Sequence, residues 1–442
     1  MSTIAIVGGG PVGALLALML AKRGRHVSVF ERRGDPRSTA PERGRSINLA
    51  LASRGLRALA AADALPALRP LMTAMPGRIL HDEQGQTQFM PYGQHPDEIN
   101  WSISRAELNR ALITLADAEE GVSLHFGQRC MDADPDSGIL QFRDETSGTL
   151  REVRAAAIVA TDGAGSAVRR ALEERQRCQA TEEPLAHDYK ELFIAAGADG
   201  GYRMEPHGLH IWPRGEFMLI ALPNADGSFT ATLFMPRSGP VSFASLGDAA
   251  AVREFFAAQF PDTLALIPDL EQQFAQHPQG GLGTLHCWPW HSGNMLLLGD
   301  AAHAIVPFHG QGLNCGFEDC VLLDRLLAQH DSAAVAFRDY ENQRRLDTDA
   351  IAQMALENYL EMRDSVRRPD FAQRRTLALE LERLHPRQFV PRYSMVMFHP
   401  EISYSEALHR GQTQERVIDA LLAERVPADS ARAAQLVSEA GL

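Results

Sequence analysis

"IVGGGPVG", residues 6–13, ends an apolar run that begins at Thr3 and opens a helix-compatible one. Gly8, Gly10 and Gly13 stand in the G-x-G-x-x-G frame. There the first glycine permits a tight strand-to-helix turn and the second lets backbone approach a pyrophosphate. The third lets helix and strand pack closely. The pattern predicts a buried strand over 3–7, a helix from Pro11 to Arg23 stopped by Gly24, and a second strand over 26–31. Such a helix start presents free N–H groups and a positive dipole end to phosphate. Glu31 stands eighteen positions after Gly13, near the spacing of a carboxylate that binds ribose hydroxyls; a solvated strand-end acid is the competing reading. Arg32 and Arg33 follow, placed to meet the adenosine end. An adenine dinucleotide is the ligand this beginning calls for.

Farther along, "AAIVATDGAG" (156–165) and "NMLLLGD" (294–300) read as short apolar strands ending in Asp-Gly or Gly-Asp corners. Strands buried on both faces suit a parallel sheet. At the second corner Asp300 is placed to accept from a ribityl hydroxyl. Gly312, Leu313 and Asn314 then offer backbone N–H groups at a helix start to an electron-rich ring edge. A simple nicotinamide dehydrogenase has no need of this second corner; a flavin, which gains negative charge on reduction, does. Between the corners the character changes. "HGLHIWP", "EFMLIALP" and "SFTATLFMP" (207–236) are β-rich runs, and "RILHDEQGQTQFMPY" (78–92) reads as a hairpin about Gly85. From about residue 312 the chain turns helical.

The expected fold is therefore α/β. A Rossmann-type FAD-binding domain with a parallel sheet takes 1–75, 97–177 and 281–330. An inserted antiparallel β-sheet substrate domain takes 76–96 and 178–280, and a C-terminal helical region, 331–442, closes the substrate site. Length agrees, since 442 residues suit about two to four domains. A net charge of −13 argues against nucleic acid, which needs clustered Lys and Arg; the Arg-rich 31–45 is interleaved with acids. Five cysteines, at 130, 178, 287, 315 and 320, are odd in number and lack CxxC spacing. That pattern favours free thiols in a reducing compartment, hence a cytoplasmic protein, over disulfides or a zinc site. No secretory signal is seen, and the longest apolar stretch, about 12–21, falls short of a membrane span.

Within the hairpin, a turn near Gly85 sets Arg78 and Tyr92 opposite or nearly so. A surface cross-strand pair is the plain reading; a guanidinium aimed at a carboxylate is the functional one. Asn358 shares a helical stripe with Ile351, Ala355 and Met362, where an amide needs a partner: protein, water or ligand. His303 and His309 lack partners at metal spacing, and no proton-transfer role follows for either. "WPW" (288–290) hints at a flavin halogenase, but packing explains it more simply.

The glycine turn, "TDGAGSAVR" (161–169) and "GDAAHAIVPFHGQGLN" (299–314) resemble the three fingerprints of FAD-dependent aromatic hydroxylases. Within that family, "RGRSINLAL" (43–51), "MPYG" (90–93), "SRAELNRAL" (104–112), "HDYKEL" (187–192), "LPNADGSFTATLFMP" (222–236), "GFEDC" (316–320) and "NYLEMR" (358–363) resemble the kynurenine 3-monooxygenases. The blocks span most of residues 1–400 and thin out in the tail, where mitochondrial members carry a membrane anchor. The resemblance is to the bacterial type without one.

It implies tightly bound FAD, NADPH as a transient co-substrate, and O2-dependent hydroxylation of L-kynurenine to 3-hydroxy-L-kynurenine through a flavin 4a-hydroperoxide, in tryptophan degradation. It also implies cofactor contacts from Val12, Ala50, Arg105, Cys130 and Asp162. Arg78, Tyr92, Asn358 and Tyr393 would grip the substrate carboxylate, with Phe234, Pro307 and His309 as wall near the ring. No side chain is expected to act as catalyst, no metal to bind, and a homodimer is compatible with the family. The absence of a second G-x-G-x-x-G fits a nicotinamide that only visits. The alternatives are an FAD-dependent hydroxylase of another aromatic acid, or a flavin-binding redox protein without turnover.

Overall fold

The protein is described from a computed structural model covering residues 3–38, 48–364 and 371–441. Residues 39–45 of the Arg-rich stretch, 43–47 of the "RGRSINLAL" block and the side chain of Met362 lie outside the described residues.

Strand Ile4–Val7 is buried throughout and sits mid-sheet, parallel to Val27–Phe30 on one side and Ala157–Ala160 on the other. Val122–His125 extends one flank; Met295–Leu297 and a short antiparallel edge, His291–Ser292, extend the other. Both faces are covered, which is why these strands carry unbroken apolar runs instead of alternation. Register places Val7 beside Ala160, and Ala160 beside Leu297. The residues that follow each strand (Gly8, Thr161 with Asp162, and Gly299) therefore emerge together at one rim. In open parallel sheets this carboxyl rim is where ligands bind.

Helix Pro11–Lys22 has Pro at its first position and buries ten residues, Pro11 and Gly13 through Ala21. It is apolar on all sides because the sheet lies beneath it and helices Arg105–Asp117 and Gly312–Gln329 flank it.

The second sheet has seven strands in the order Gln279–Trp288, Gln179–Ile194, Phe229–Pro236, Met218–Pro223, Leu209–Pro213, Gly77–His81, Thr87–Pro91. The sheet is antiparallel as expected except at one pairing, where Gly77–His81 joins Leu209–Pro213 in parallel. One expectation needs correction: the 280/281 domain boundary falls inside a strand that keeps pairing as far as Trp288, opposite Gln179. Gly280 and Gly283 look like breakers in sequence, yet they sit in the strand because they allow close approach. A Cβ at Gly280 would lie 2.3 Å from the Tyr189 ring, and one at Gly283 3.0 Å from the Glu183 carbonyl.

Alternation along these strands splits two cores. Trp212, Leu233 and Phe229 face Phe256 and Phe260 on the outer side; Ile211, Met218 and Phe234 face Val306, Phe308, Ala355 and Tyr359 on the inner side. The inner face thus packs on the segment after Asp300 and on helix Ala333–Asp364. Helices Phe371–Leu384, Arg392–Phe398, Tyr404–Glu424 and Ala431–Glu439 complete the C-terminal region. Buried Arg54 ties it to the parallel-sheet half, donating to the carbonyls of Val396 at 2.8 Å and Ile402 at 2.5 Å, and to Glu318 at 2.9 Å. Among the described residues no helix is long and apolar enough to cross a membrane.

Candidate active site

The three fingerprint segments converge at the rim of the parallel sheet. Gly8 has φ +107°, and a Cβ there would meet Thr161 O at 2.5 Å, so the turn lies directly on the Thr161–Asp162 corner. A Cβ at Gly13 would lie 2.1 Å from Gly8 O, so any side chain would pry helix from strand. A Cβ at Gly10 would meet nothing within 4 Å; the turn is open there, on the side where a pyrophosphate would approach. Val12 packs on the third segment, since Cβ atoms at Gly299 and Gly316 would lie 3.6 and 2.9 Å from its methyl groups.

Around this cradle the expected cofactor residues divide in two. Glu31 is buried, and its carboxylate accepts from Gly9 N at 2.8 Å and from Arg33 N and Nε at 2.9 and 3.0 Å. Arg32 and Arg33 are exposed. Asp162 accepts from Ala167 N at 2.7 Å through Oδ2, while its buried Oδ1 has no partner. Burial pushes the Asp162 carboxyl upward against hydrogen bonds from Ser166 and the backbone. Cys130 is buried nearby, its thiol pushed up to about 12 by burial and then by the Asp162 and Asp132 charges. Asp300 is exposed at the corner after Gly299. An open glycine turn, an orphaned buried carboxylate oxygen and an exposed acid lie along one rim, and together they fit an elongated dinucleotide with hydroxyl groups.

At the far end helix Gly312–Gln329 begins, its first N–H groups without intrahelical acceptors. The Asn314 side chain is spent on the fold itself. Its Nδ2 donates to Ala50 O at 2.9 Å and Gly310 O at 2.8 Å, and its Oδ1 accepts from Ala52 N at 3.0 Å. Ala50 and Gly310 are thereby held against each other, so Gly312, Leu313 and Asn314 have backbone to offer a ligand. Gln311 turns away, accepting from the Tyr404 hydroxyl at 2.8 Å. Arg105 stands exposed at the start of its helix.

The expected substrate residues also divide. Arg78, Tyr92, His309, Asn358 and Tyr393 line one cavity of about 620 Å³. Arg78 lies opposite Met90, two residues from the position expected for Tyr92, yet its guanidinium carbon is 5.6 Å from the Tyr92 ring centre and 4.9 Å from that of Tyr393. The tyrosine rings stack at 5.6 Å and 17°, and His309 stacks on Tyr393 at 5.4 Å and 15°. Asn358 donates to Phe308 O at 2.7 Å. Phe234 and Pro307 are not in this lining. Phe234 is buried 5.1 Å from Phe308, and Pro307 is exposed.

Electrostatics sets the cavity's preference. It is lined by four arginines (78, 374, 375, 392) and four acids (357, 361, 415, 419). Arg374 pairs with Glu415 and Asp419 at 2.6 and 2.7 Å, and Arg392 with Glu357, which leaves Arg78 and Arg375 facing Glu361. Burial alone would lower Arg78, but Tyr393, Tyr92 and Glu361 outweigh it and its net shift is upward. Arg375 is shifted down, by burial and then by Arg78. His309 is pushed down to about 3 by burial, so its imidazole is neutral, with a buried Nδ1 that has no partner. Glu361 and Arg375 were missed in sequence. Glu361 carried a usable signal, one helical turn past Asn358; Arg375 carried none.

His303 pairs with Asp319 at 2.9 Å, and Cys315 stands close enough to both to suggest a cation site. Arg344 fills it instead, donating to Asp319 at 2.7 Å and to Cys315 Sγ at 3.1 Å. Trp290 is buried against His303 and Tyr340 and donates to Cys287 O at 2.7 Å, a packing role.

The chain matches the model of an FAD binding domain family over residues 1–188 and 250–355. Solved structures similar to it include 2-methyl-3-hydroxypyridine-5-carboxylic acid oxygenase in a tetrameric form, at TM-score 0.68 and 21% identity over 91% of this chain and 98% of that one. A p-nitrophenol 4-monooxygenase from Pseudomonas putida DLL-E4 gives 0.65 at 19%, over 85% and 92%. Fold and family match together define an FAD-binding protein. In sequence the chain is 47% identical to a kynurenine 3-monooxygenase of Myxococcus xanthus over 98% of its own length and 94% of the relative's. It is 48% identical to one of Xanthomonas axonopodis pv. citri over 94% and 91%. The chain belongs to the kynurenine 3-monooxygenase family, and FAD is its cofactor.

Proposed function

We propose that this protein hydroxylates L-kynurenine to 3-hydroxy-L-kynurenine at the expense of NADPH and O2. The observation that carries the reading is the cavity where Arg78, Tyr92, Asn358 and Tyr393 converge on one side and Glu361 on the other. An α-amino acid brings a carboxylate and an ammonium group, and this lining offers a partner for each. A phenol or a simple benzoate would leave a buried charge without one, at a cost. Bound FAD supplies the redox and oxygen chemistry; the chain supplies binding, orientation and dryness.

In this reading Gly8, Gly10 and Gly13 admit the pyrophosphate, Glu31 and Asp162 serve the ribose and diphosphate end, and Asp300 the ribityl chain. The helix start at Gly312 offers N–H groups to the ring edge. Arg78 holds the substrate carboxylate, with Tyr92, Tyr393 and Asn358 beside it, while neutral His309 and the Phe234–Phe308 cluster back the ring side. No side chain is asked to move a proton: kynurenine's own aniline nitrogen pushes electrons toward the ortho carbon. The domain boundaries belong to the same reading, with the substrate sheet extended to Trp288. All five cysteines are free and buried, which supports a reducing compartment, the cytoplasm. For assembly we keep the homodimer the family resemblance suggests, which light scattering would read as twice 48.5 kDa.

The test is NADPH oxidation by the FAD-loaded protein with a panel of aromatic acids. Acceleration by L-kynurenine alone is expected. Equal acceleration by salicylate or a phenol favours the broader hydroxylase, and none by any compound favours a redox protein without turnover.

A further inference from the structure

Asn100 carried no functional signal in the sequence, yet it lies against the tyrosine of the anion grip. It begins strand Asn100–Ser104 opposite Met75 and is 1% exposed. Its Nδ2 donates to the Tyr393 hydroxyl oxygen at 3.3 Å, and its side chain also hydrogen-bonds the Tyr92 hydroxyl. The Arg78 guanidinium lies beside the same two tyrosines, its carbon 5.6 Å from the Tyr92 ring centre and 4.9 Å from that of Tyr393. A phenol oxygen accepts about two hydrogen bonds and donates one. An amide N–H and a guanidinium N–H only donate, so toward these neighbours both oxygens serve as acceptors. Each hydroxyl hydrogen then needs an acceptor elsewhere. Asn100 Oδ1 does not provide it, being buried without a partner. The stacked rings hold the two hydroxyls side by side at the cavity wall.

We infer that Asn100 is a positioning residue: its amide turns the hydroxyl hydrogens of Tyr92 and Tyr393 into the cavity, completing with Arg78 a donor-only array for the carboxylate of an α-amino acid. This rests on the reading given under Proposed function. Turned over about its last bond, the amide would present Oδ1 and draw both hydrogens back from the ligand. Aspartate at this position can do only that, so Asn100→Asp fixes the unproductive arrangement, whereas Asn100→Ala leaves the hydroxyls undirected.

The experiment measures equilibrium binding to the FAD-loaded protein of L-kynurenine and of kynuramine, the same molecule without its carboxylate. Hydrogen bonds to a charged group set the scale, so Asn100→Ala should weaken L-kynurenine about tenfold and Asn100→Asp about thirtyfold or more. Kynuramine should stay within about twofold of wild type in both variants, a split that a merely structural role would not produce. In a Tyr393→Phe background Asn100→Ala should cost much less than in wild type. Parallel losses for both ligands, unchanged L-kynurenine binding in Asn100→Asp, or strictly additive losses with Tyr393→Phe would each overturn the inference. Wild-type protein that binds neither compound would instead overturn the functional reading beneath it.

Discussion

Arg78 is half-buried, its Nε buried and unpaired, beside two tyrosines and one glutamate. A guanidinium in that position holds its charge but lacks a full partner, so a bound carboxylate completes it. Arg78→Ala should raise the Kd for L-kynurenine by the equivalent of about 2–5 kcal/mol, read by titration of the FAD-loaded protein. FAD content should stay at the wild-type level, because the cradle is built from other segments; lost flavin would place Arg78 in the cofactor site. His309 gives a prediction about acid. Its pKa is pushed down to about 3 by burial, below the ordinary 6.5. Because the folded form binds its proton later than the unfolded chain does, stability is lost as pH falls from about 6.5 toward 3. Between pH 7.5 and 5, wild type should lose about 2 kcal/mol more than His309→Phe, which has no proton to take up. Urea midpoints at the two pH values measure it, and equal losses would mean the imidazole is solvated.

At the scale of elements, what the sequence could show depended on how local the cause was. The opening strand, helix and strand were legible because one glycine frame carries the turn, the phosphate approach and the packing. The 78–92 hairpin was legible too, but its register came out two residues away from the expected pairing. Asp82 accepts from Gln84 N at 2.9 Å and Gln86 N at 2.7 Å, which centres the turn at Gln84 instead of Gly85. The parallel pairing of Gly77–His81 with Leu209–Pro213 left no local mark, since strands more than a hundred residues apart create it. The same holds for the site. Arg78, Tyr92, Asn358 and Tyr393 were reachable through spacing and family resemblance. Asn100 and Arg375 were not, because only the fold brings Asn100 against Tyr393 and Arg375 to the cavity.

The joint between the halves can be tested as an element. Arg54 spans it with hydrogen bonds to the carbonyls of Val396 and Ile402, and its guanidinium lies 4.0 Å from the Tyr404 ring. Arg54→Ala leaves those carbonyls unpaired and should destabilise the docking by about 3–5 kcal/mol. Hydrogen exchange should rise in 392–424 and remain near wild type in the strands around Ile4–Val7. Uniform loss of protection throughout the chain would mean that the halves unfold as one unit.

For the whole molecule, two large sheets and a helical cap divide the labour. The parallel sheet gathers three distant sequence segments into a cofactor rim, and the inner face of the second sheet packs against the segment that follows Asp300. The C-terminal helices bring Asn358, Glu361 and Tyr393 to face Arg78 from the second sheet. A cavity with a place for both charges of an amino acid exists only when all three parts are assembled. Its occupant should receive one oxygen atom from O2, delivered beside the Gly310–Asn314 corner. Turnover of L-kynurenine with NADPH under oxygen-18 gas measures this directly, with the product analysed by mass spectrometry and NMR. One oxygen-18 atom on the ring carbon next to the aniline nitrogen is the predicted result. Label arriving from water instead, or L-kynurenine recovered unchanged while NADPH is consumed, would contradict it.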